Sequence, residues 1–266
     1  MENTNPHCIG KTTRNRLQDS EKFYTLEEIN NLDIQAKAMY SDIVCISRKI
    51  LSGIDSSYID IYEEAYSQIS KCIALLKKNS FLLQYIKYYS ADNYLCAHTA
   101  NTCILSLSIG IAMNLKEEEL SVLGISALLH DIGMTNFISL ARKERRLNAA
   151  EINLIQKHSL WGVKKLNKII DFNYSTKERI GKIISPVHER YDGTGYPEGL
   201  KSNEIDLLPS IISIADFYEA MTHRRPWRKQ TCCHSIIKNF IENNPPDFNP
   251  LVIKKLIEVL SVFPPG

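Results

Sequence analysis

His130 and Asp131 are neighbours in the sequence, so an imidazole nitrogen and a carboxylate leave the backbone side by side. The carboxylate has two oxygens and can bridge two metal ions. Further along, the string His188-Glu189-Arg190-Tyr191-Asp192-Gly193-Thr194-Gly195-Tyr196-Pro197 joins another histidine to a loop with two glycines and a proline. Such a loop lets backbone come close to a ligand, because glycine reaches dihedrals that a Cβ forbids. His98, His158 and Asp216 are further candidates for the same site. Asp216 lies in the largely apolar run from Ile211 to Phe217. An unpartnered carboxylate buried there is costly or neutralises, and a divalent cation removes that cost; an N-cap or an arginine partner is the alternative. His130-Asp131 closes the apolar run Ala127-Leu128-Leu129, at a helix C-terminus whose partial negative charge favours a cation. A lone histidine such as His98 or His158 is usually structural. The order His, His-Asp, His, His, Asp on separate predicted helices says more, and it points to one metal centre. Imidazole with carboxylate suits iron, manganese or zinc better than calcium.

These groups need rigid elements to hold them. Thr25 with Glu28 reads as a capping box opening a first helix, with apolar residues at Ile29, Leu32, Ala36 and Met39. Helical spacing predicts further helices over 56–78, 82–89, 93–114, 117–129, 149–157, 160–170, 176–185, 209–222, 232–242 and 250–262. The 117–129 segment is apolar almost all round and should be a central buried helix. No alternating strand pattern and no internal repeat is visible, so an all-α fold is expected. Residues 1–22 read as a disordered tail, 23–90 as an N-terminal helical segment for regulation or dimerisation, and 91–266 as the domain holding the candidates. Tyr58, Tyr62 and Tyr66 form a stripe that ordinary core packing would also explain.

The 266 residues are 44% hydrophobic and 23% charged, with net charge +2. That balance gives no electrostatic argument for polymeric nucleic acid or for a membrane. No apolar run approaches the roughly 20 residues that span a bilayer. Met1 to Ser20 lacks an apolar signal core, so a cytoplasmic protein is expected. Seven cysteines without a C-x-x-C pair do not suggest a disulfide framework. Cys96 and Cys103 read as reduced core residues, and Cys232-Cys233 as a weak redox signal.

About residues 93–240 resemble the HD-GYP family, a branch of the HD-domain phosphohydrolases. His98 matches the first histidine of its pattern, His130-Asp131-Ile132-Gly133-Met134 the doublet, His158 the third element and Val187-His188-Glu189 the fourth. Asp192 to Pro197 matches its signature loop, Ala215-Asp216 its buried acid and Arg225-Pro226-Trp227-Arg228 its closing string. The resemblance implies an HD-domain helical bundle with an additional N-terminal helical segment. It implies two divalent metal ions, most often iron or manganese. His98, His130, Asp131 and Asp216 would hold one, and Asp131, His158 and His188 the other. Asp131 would bridge them and orient the attacking hydroxide. Two such cations lower the pKa of water and stabilise charge on a phosphoryl group. Arg225 and Arg228, whose forks match phosphate geometry, and Gly195 and Tyr196 would bind substrate. The implied substrate is a cyclic dinucleotide, cyclic di-GMP above others, cut to pGpG or onward to GMP. A homodimer or protein partner would use the N-terminal helices.

Three positions depart from the family pattern. Tyr94 stands where members with a third metal carry Glu, Val187 replaces a histidine, and Met134 replaces a lysine. These motivate a rival reading, a catalytically weak or inactive cyclic-dinucleotide receptor. A phosphatase of nucleoside monophosphates is a third reading, which the Asp192–Pro197 string disfavours.

Overall fold

Thr25 opens the first helix as its spacing predicts. Its hydroxyl accepts from the Glu28 N–H at 3.2 Å, and the Glu28 carboxylate accepts from the Thr25 N–H at 2.7 Å. In this computed structural model, which describes residues 25–55, 59–87, 94–225, 228–243 and 245–262, helix α1 covers Leu26–Gly53. It runs well beyond Met39 because Ile43, Ile46 and Ile50 continue the buried stripe. The expected tail 1–22, Tyr58, Pro226 and Trp227 lie outside the described residues.

Helix α2 covers Tyr62–Lys78 and starts later than its periodicity suggests. A carboxylate distant in sequence explains the boundary. Asp171 Oδ2 accepts from the N–H of Ile61 at 3.0 Å and from that of Tyr62, filling the cap that local sequence does not supply. Phe81–Lys87 winds as a 3₁₀ segment rather than an α-helix. Then come α3 (Tyr94–Ala112), α4 (Glu117–Leu129), a 3₁₀ turn Ile132–Phe137 and the short α5 (Ile138–Ala141). These are followed by α6 (Ala149–Ile155), α7 (His158–Lys165), α8 (Tyr174–Ile184), a 3₁₀ turn Ser185–His188, α9 (Leu207–Thr222), α10 (Cys233–Asn243) and α11 (Pro250–Val262). Among the described residues no strand forms, only isolated bridges such as Ile59 with Ile169. The fold is all-α.

Helix α3 lies at the centre and packs against α1, α4, α9 and α11. One apolar core joins α1 and α2 to α3, α4 and α9 through Ile50, Ile69, Ile104, Leu107, Leu123 and Ile214. Tyr62 of the expected stripe packs edge-on against Phe172 with ring centres 5.0 Å apart, and Tyr66 lies 6.0 Å from it. Two stretches, Tyr94–Ala112 and Glu117–Ala141, are long and apolar enough to cross a membrane by composition, but 89% and 72% of their apolar windows are buried inside the fold. Their hydropathy is that of interior helices.

Asp171→Ala removes the cap of α2. We expect a loss of about 1–2 kcal/mol of stability, read from the urea unfolding midpoint, with Asp171→Asn retaining part of it. A midpoint equal to wild type would show that the cap contributes nothing.

Candidate metal centre

Five elements meet at the candidate residues. His98 stands one turn into α3, and His130 is the C-cap of α4 with Asp131 next to it. His158 opens α7, His188 ends the 3₁₀ turn after α8, and Asp216 lies within α9. Gly133 makes the junction between two of these elements. A Cβ there would lie 1.9 Å from the His158 carbonyl oxygen and 2.6 Å from the Gly162 nitrogen, so only glycine lets the His-Asp turn sit against the start of α7.

All six candidate ligands converge. His98 Nε2 lies 3.1 Å from Asp216 Oδ1 and 3.5 Å from Asp131 Oδ2. Asp131 Oδ1 faces His158 Nε2 at 3.2 Å and His188 Nε2 at 3.8 Å, while Oδ2 lies 3.8 Å from His130 Nε2. Ligand atoms of His98, His130 and Asp216 lie within 4.8 Å of one another, and so do those of Asp131, His158 and His188. The four imidazoles and Asp131 are buried, and the Asp216 side chain is only 13% exposed.

The hydrogen bonds behind the rings fix which nitrogen faces inward. His130 Nδ1 donates to the Ala127 carbonyl at 2.8 Å, His158 Nδ1 donates to the Ile155 carbonyl at 2.8 Å, and His98 Nδ1 donates to Glu219. Each of these rings therefore turns its Nε2 to the centre, the nitrogen a metal would take in place of a proton. His130 Nε2 is buried with no hydrogen-bond partner. His158 Nε2 and His188 Nε2 face each other at 2.8 Å, an approach that needs a proton or a cation between two lone pairs. The donor set thus fits divalent metal.

The charges balance in the same sense. Burial pushes the Asp131 carboxyl up, but His130, His158, His188 and His98 outweigh it and hold the group well below the usual carboxylate range. Asp216 is likewise held low, burial being overcome first by His98. His98 is desolvated, yet the carboxylates of Glu219, Asp131 and Asp216 raise it well above an ordinary imidazole. Burial and the neighbouring His158 lower His188 despite the Asp131 and Asp216 carboxylates.

Two buried acids support the site and were not singled out from sequence. Glu219 is 3% exposed, and its carboxylate accepts from His98, from Asn101 Nδ2 at 3.2 Å and from Arg225 at 3.0 Å and lies 3.2 Å from His223 Nδ1, which donates to the Glu219 backbone carbonyl at 2.9 Å. Burial raises its carboxyl, but His98, Arg225 and His223 bring it down to about 2. A signal existed, since Glu219 follows Asp216 by three positions on one apolar helix and the same desolvation argument applies to both. Glu189 accepts from the loop N–H groups of Glu198 at 2.6 Å, Leu200 at 3.0 Å and Gly199 at 3.1 Å, and so holds the signature loop closed on itself. Nothing in its spacing announced that role.

The loop returns against the histidines. A Cβ on Gly195 would lie 2.3 Å from the Arg190 nitrogen and 2.4 Å from the Glu189 Cα, so the chain can pass there only as glycine. Tyr196 stacks on His188 with ring centres 5.0 Å apart and planes 16° apart, and meets His158 edge-on at 6.0 Å. A cavity of 330 Å³ opens over the centre, walled by Tyr94, Met134, Arg190, Tyr196 and Arg225 among others. Arg225 is buried, lies 5.2 Å from the Tyr94 ring centre and is ion-paired to Glu219. Arg228 donates to the carbonyls of Ala220 at 2.5 Å and Met221 at 3.4 Å, at the end of α9. Val187 packs fully buried in the main apolar core.

A family profile described as an HD domain matches residues 88–244. The chain belongs to the HD-domain family. It is 26% identical over 244 residues to a cyclic di-GMP phosphodiesterase of Pseudomonas aeruginosa, covering 90% of this chain and 56% of that protein. It is 29% identical over 189 residues to the cyclic di-GMP phosphodiesterase PdeB of Borreliella burgdorferi, covering 68% and 48%. With 3'3'-cGAMP-specific phosphodiesterase 3 of Vibrio cholerae it shares 27% over 172 residues, covering 64% and 36%. The chain thus spans about half, or less, of the length of these curated relatives. An HDG"Y"P protein from Bdellovibrio bacteriovorus has the same fold, with TM-score 0.70 at 17% identity over 86% of this chain and 72% of that one.

Glu219→Ala leaves buried cationic groups without their anion. We expect the metal-free protein to lose about 3–5 kcal/mol in urea unfolding with chelator present, and Glu219→Gln, which keeps the volume but not the charge, to lose nearly as much. A Gln variant close to wild type would point to side-chain volume instead of charge.

Proposed function

We propose that this chain is a metal-dependent phosphodiesterase that hydrolyses a cyclic dinucleotide, cyclic di-GMP foremost. One observation carries the reading: two sets of donors, His98, His130 and Asp216 and Asp131, His158 and His188, lie beneath a cavity walled by Arg190 and Arg225, with Asp131 Oδ2 turned toward His98 and His130 of the first set. His98, His130, Asp131 and Asp216 would hold one divalent ion, and Asp131, His158 and His188 the other. Iron or manganese suits this nitrogen and oxygen set. Two cations so held would lower the pKa of water toward neutrality and offset charge on the attacked phosphate.

The side chains around them orient the substrate. Arg190 donates to Ser213 Oγ at 2.8 Å and to the Glu189 carbonyl at 3.0 Å, and no carboxylate pairs with it among the described residues, so its fork retains charge for a phosphate oxygen. Arg225 is fixed by Glu219 and gives its positive field to the cavity wall. Tyr196 covers the His188 ring and leaves its edge for a base. Arg228 supports the turn that presents Arg225. Water adds across one phosphodiester P–O bond, giving linear pGpG. The names of the relatives include both cyclic di-GMP and 3'3'-cGAMP, so the second base is decided by assay.

A receptor with little turnover is the second reading, favoured by Met134. This apolar side chain lines the cavity where the family pattern carries lysine.

The test is a metal count on anaerobically purified protein joined to product analysis with cyclic di-GMP and 3'3'-cGAMP. Metal with turnover supports the enzyme, tight binding without turnover supports the receptor, and neither removes both. Asp131→Ala is expected to lose both ions, since it removes the shared ligand. Retention of two ions per chain would show that Asp131 does not bridge.

A further inference from the structure

We infer that the substrate cleft continues past Tyr94 into a second, arginine-lined subsite that takes the distal phosphate of the cyclic dinucleotide, with α1 forming one wall. The inference rests on the cyclic-dinucleotide reading and extends it to a helix outside the matched HD-domain segment. A cavity of 250 Å³ is walled by Arg48 and Leu51 of α1, by Cys96 of α3, and by Thr135 and Arg142 after the His-Asp turn. It shares Tyr94 and Leu95 with the cavity over the metal-ligand cluster. Arg225 sits over the Tyr94 ring, so positive groups flank both the ring and the passage.

The charges of this second cavity call for an anion. Arg48 and Arg142 are exposed, and neither pairs with a carboxylate among the described residues. Arg48 is hydrogen-bonded to the Cys96 thiol, which leaves its charge uncompensated. The acid on the lining, Asp55, is already engaged by Lys165 and by the Thr135 hydroxyl at 3.0 Å. Net charge over the chain is only +2, so two guanidinium groups without acids here are a local feature. A cyclic dinucleotide carries two phosphodiester groups. When one lies over the metal-ligand cluster, the other must be met elsewhere, and arginine forks match a phosphate's paired oxygens. Tyr94 is suited to the junction, because an aromatic wall serves both cavities where a carboxylate would repel the anion.

The experiment uses the full chain loaded anaerobically with manganese. KM is measured for cyclic di-GMP and for bis(p-nitrophenyl) phosphate, which has a single phosphate. In the double variant Arg48→Ala with Arg142→Ala the ratio of the first KM to the second should rise about tenfold, the size of one charge-assisted contact. The double lysine variant should recover part of that rise. Metal content and urea midpoint equal to wild type keep folding out of the comparison. For a wild type that binds cyclic di-GMP without turnover, the same ratio is read on Kd. A ratio within twofold of wild type overturns the subsite while the dinucleotide reading stands. A wild type that cleaves the aryl ester but neither binds nor cleaves cyclic di-GMP overturns that reading and the subsite with it.

Discussion

Two carboxylates ionised inside a helical interior set the terms for everything around them. Asp131 and Asp216 are largely withdrawn from water at the floor of the cavity, and the imidazoles around them hold their carboxyls ionised. The imidazoles in turn are useful only in one tautomer. Carbonyls of Ala127 and Ile155, at the ends of α4 and α6, supply two of the outer acceptors, and Glu219 supplies the third. Helix termini have carbonyls to spare, so the fold places histidines where helices stop. Gly133 belongs to the same logic, since a side chain there would push the end of α4 away from the start of α7 and part Asp131 from His158.

Charge alternates outward from the centre. Carboxylates sit innermost, imidazoles next, then Glu219, and beyond it Arg225 and His223. Each shell neutralises the one inside it, which is how so many ionisable groups share a low-dielectric region. Glu189 does comparable work for the signature loop. Its carboxylate gathers three N–H groups that no helix or strand satisfies, and the loop is thereby stiff enough to lay Tyr196 on His188.

The inner shell was legible in the sequence because its chemistry demands particular residue types. Only histidine and acidic groups at intervals fitting separate helices could converge as His98, His130, Asp131, His158, His188 and Asp216 do. Most helices were legible too, since each needs an apolar stripe. What sequence did not disclose depends on partners far along the chain. The start of α2 is set by Asp171, and α1 continues to Gly53 because α3 offers it a surface. Glu219 escaped notice because a single acid in an apolar helix reads as one anomaly, and Asp216 had already filled that role. The reach of the cavity to Arg48 is still further from view, because no local pattern links α1 to the region after Asp131.

The three departures from the family pattern acquire a common sense in the structure. Val187 is spent on the core, fully buried beside residues of the main apolar cluster, and its loss of an imidazole leaves the six inward-facing donors intact. Tyr94 and Met134 both line the cavity and neither touches the donor set in an ion pair. Their effect is therefore on what the rim can hold. A lysine at 134 and an acid at 94 would place opposite charges on that rim; here both are absent, and positive charge enters from Arg190, Arg225, Arg48 and Arg142 instead. The floor of the site is constrained by the desolvation of its carboxylates, because removing one donor leaves another buried charge without its partner. The exposed part of the rim, with Arg48 and Arg142, is screened by water and carries no such constraint.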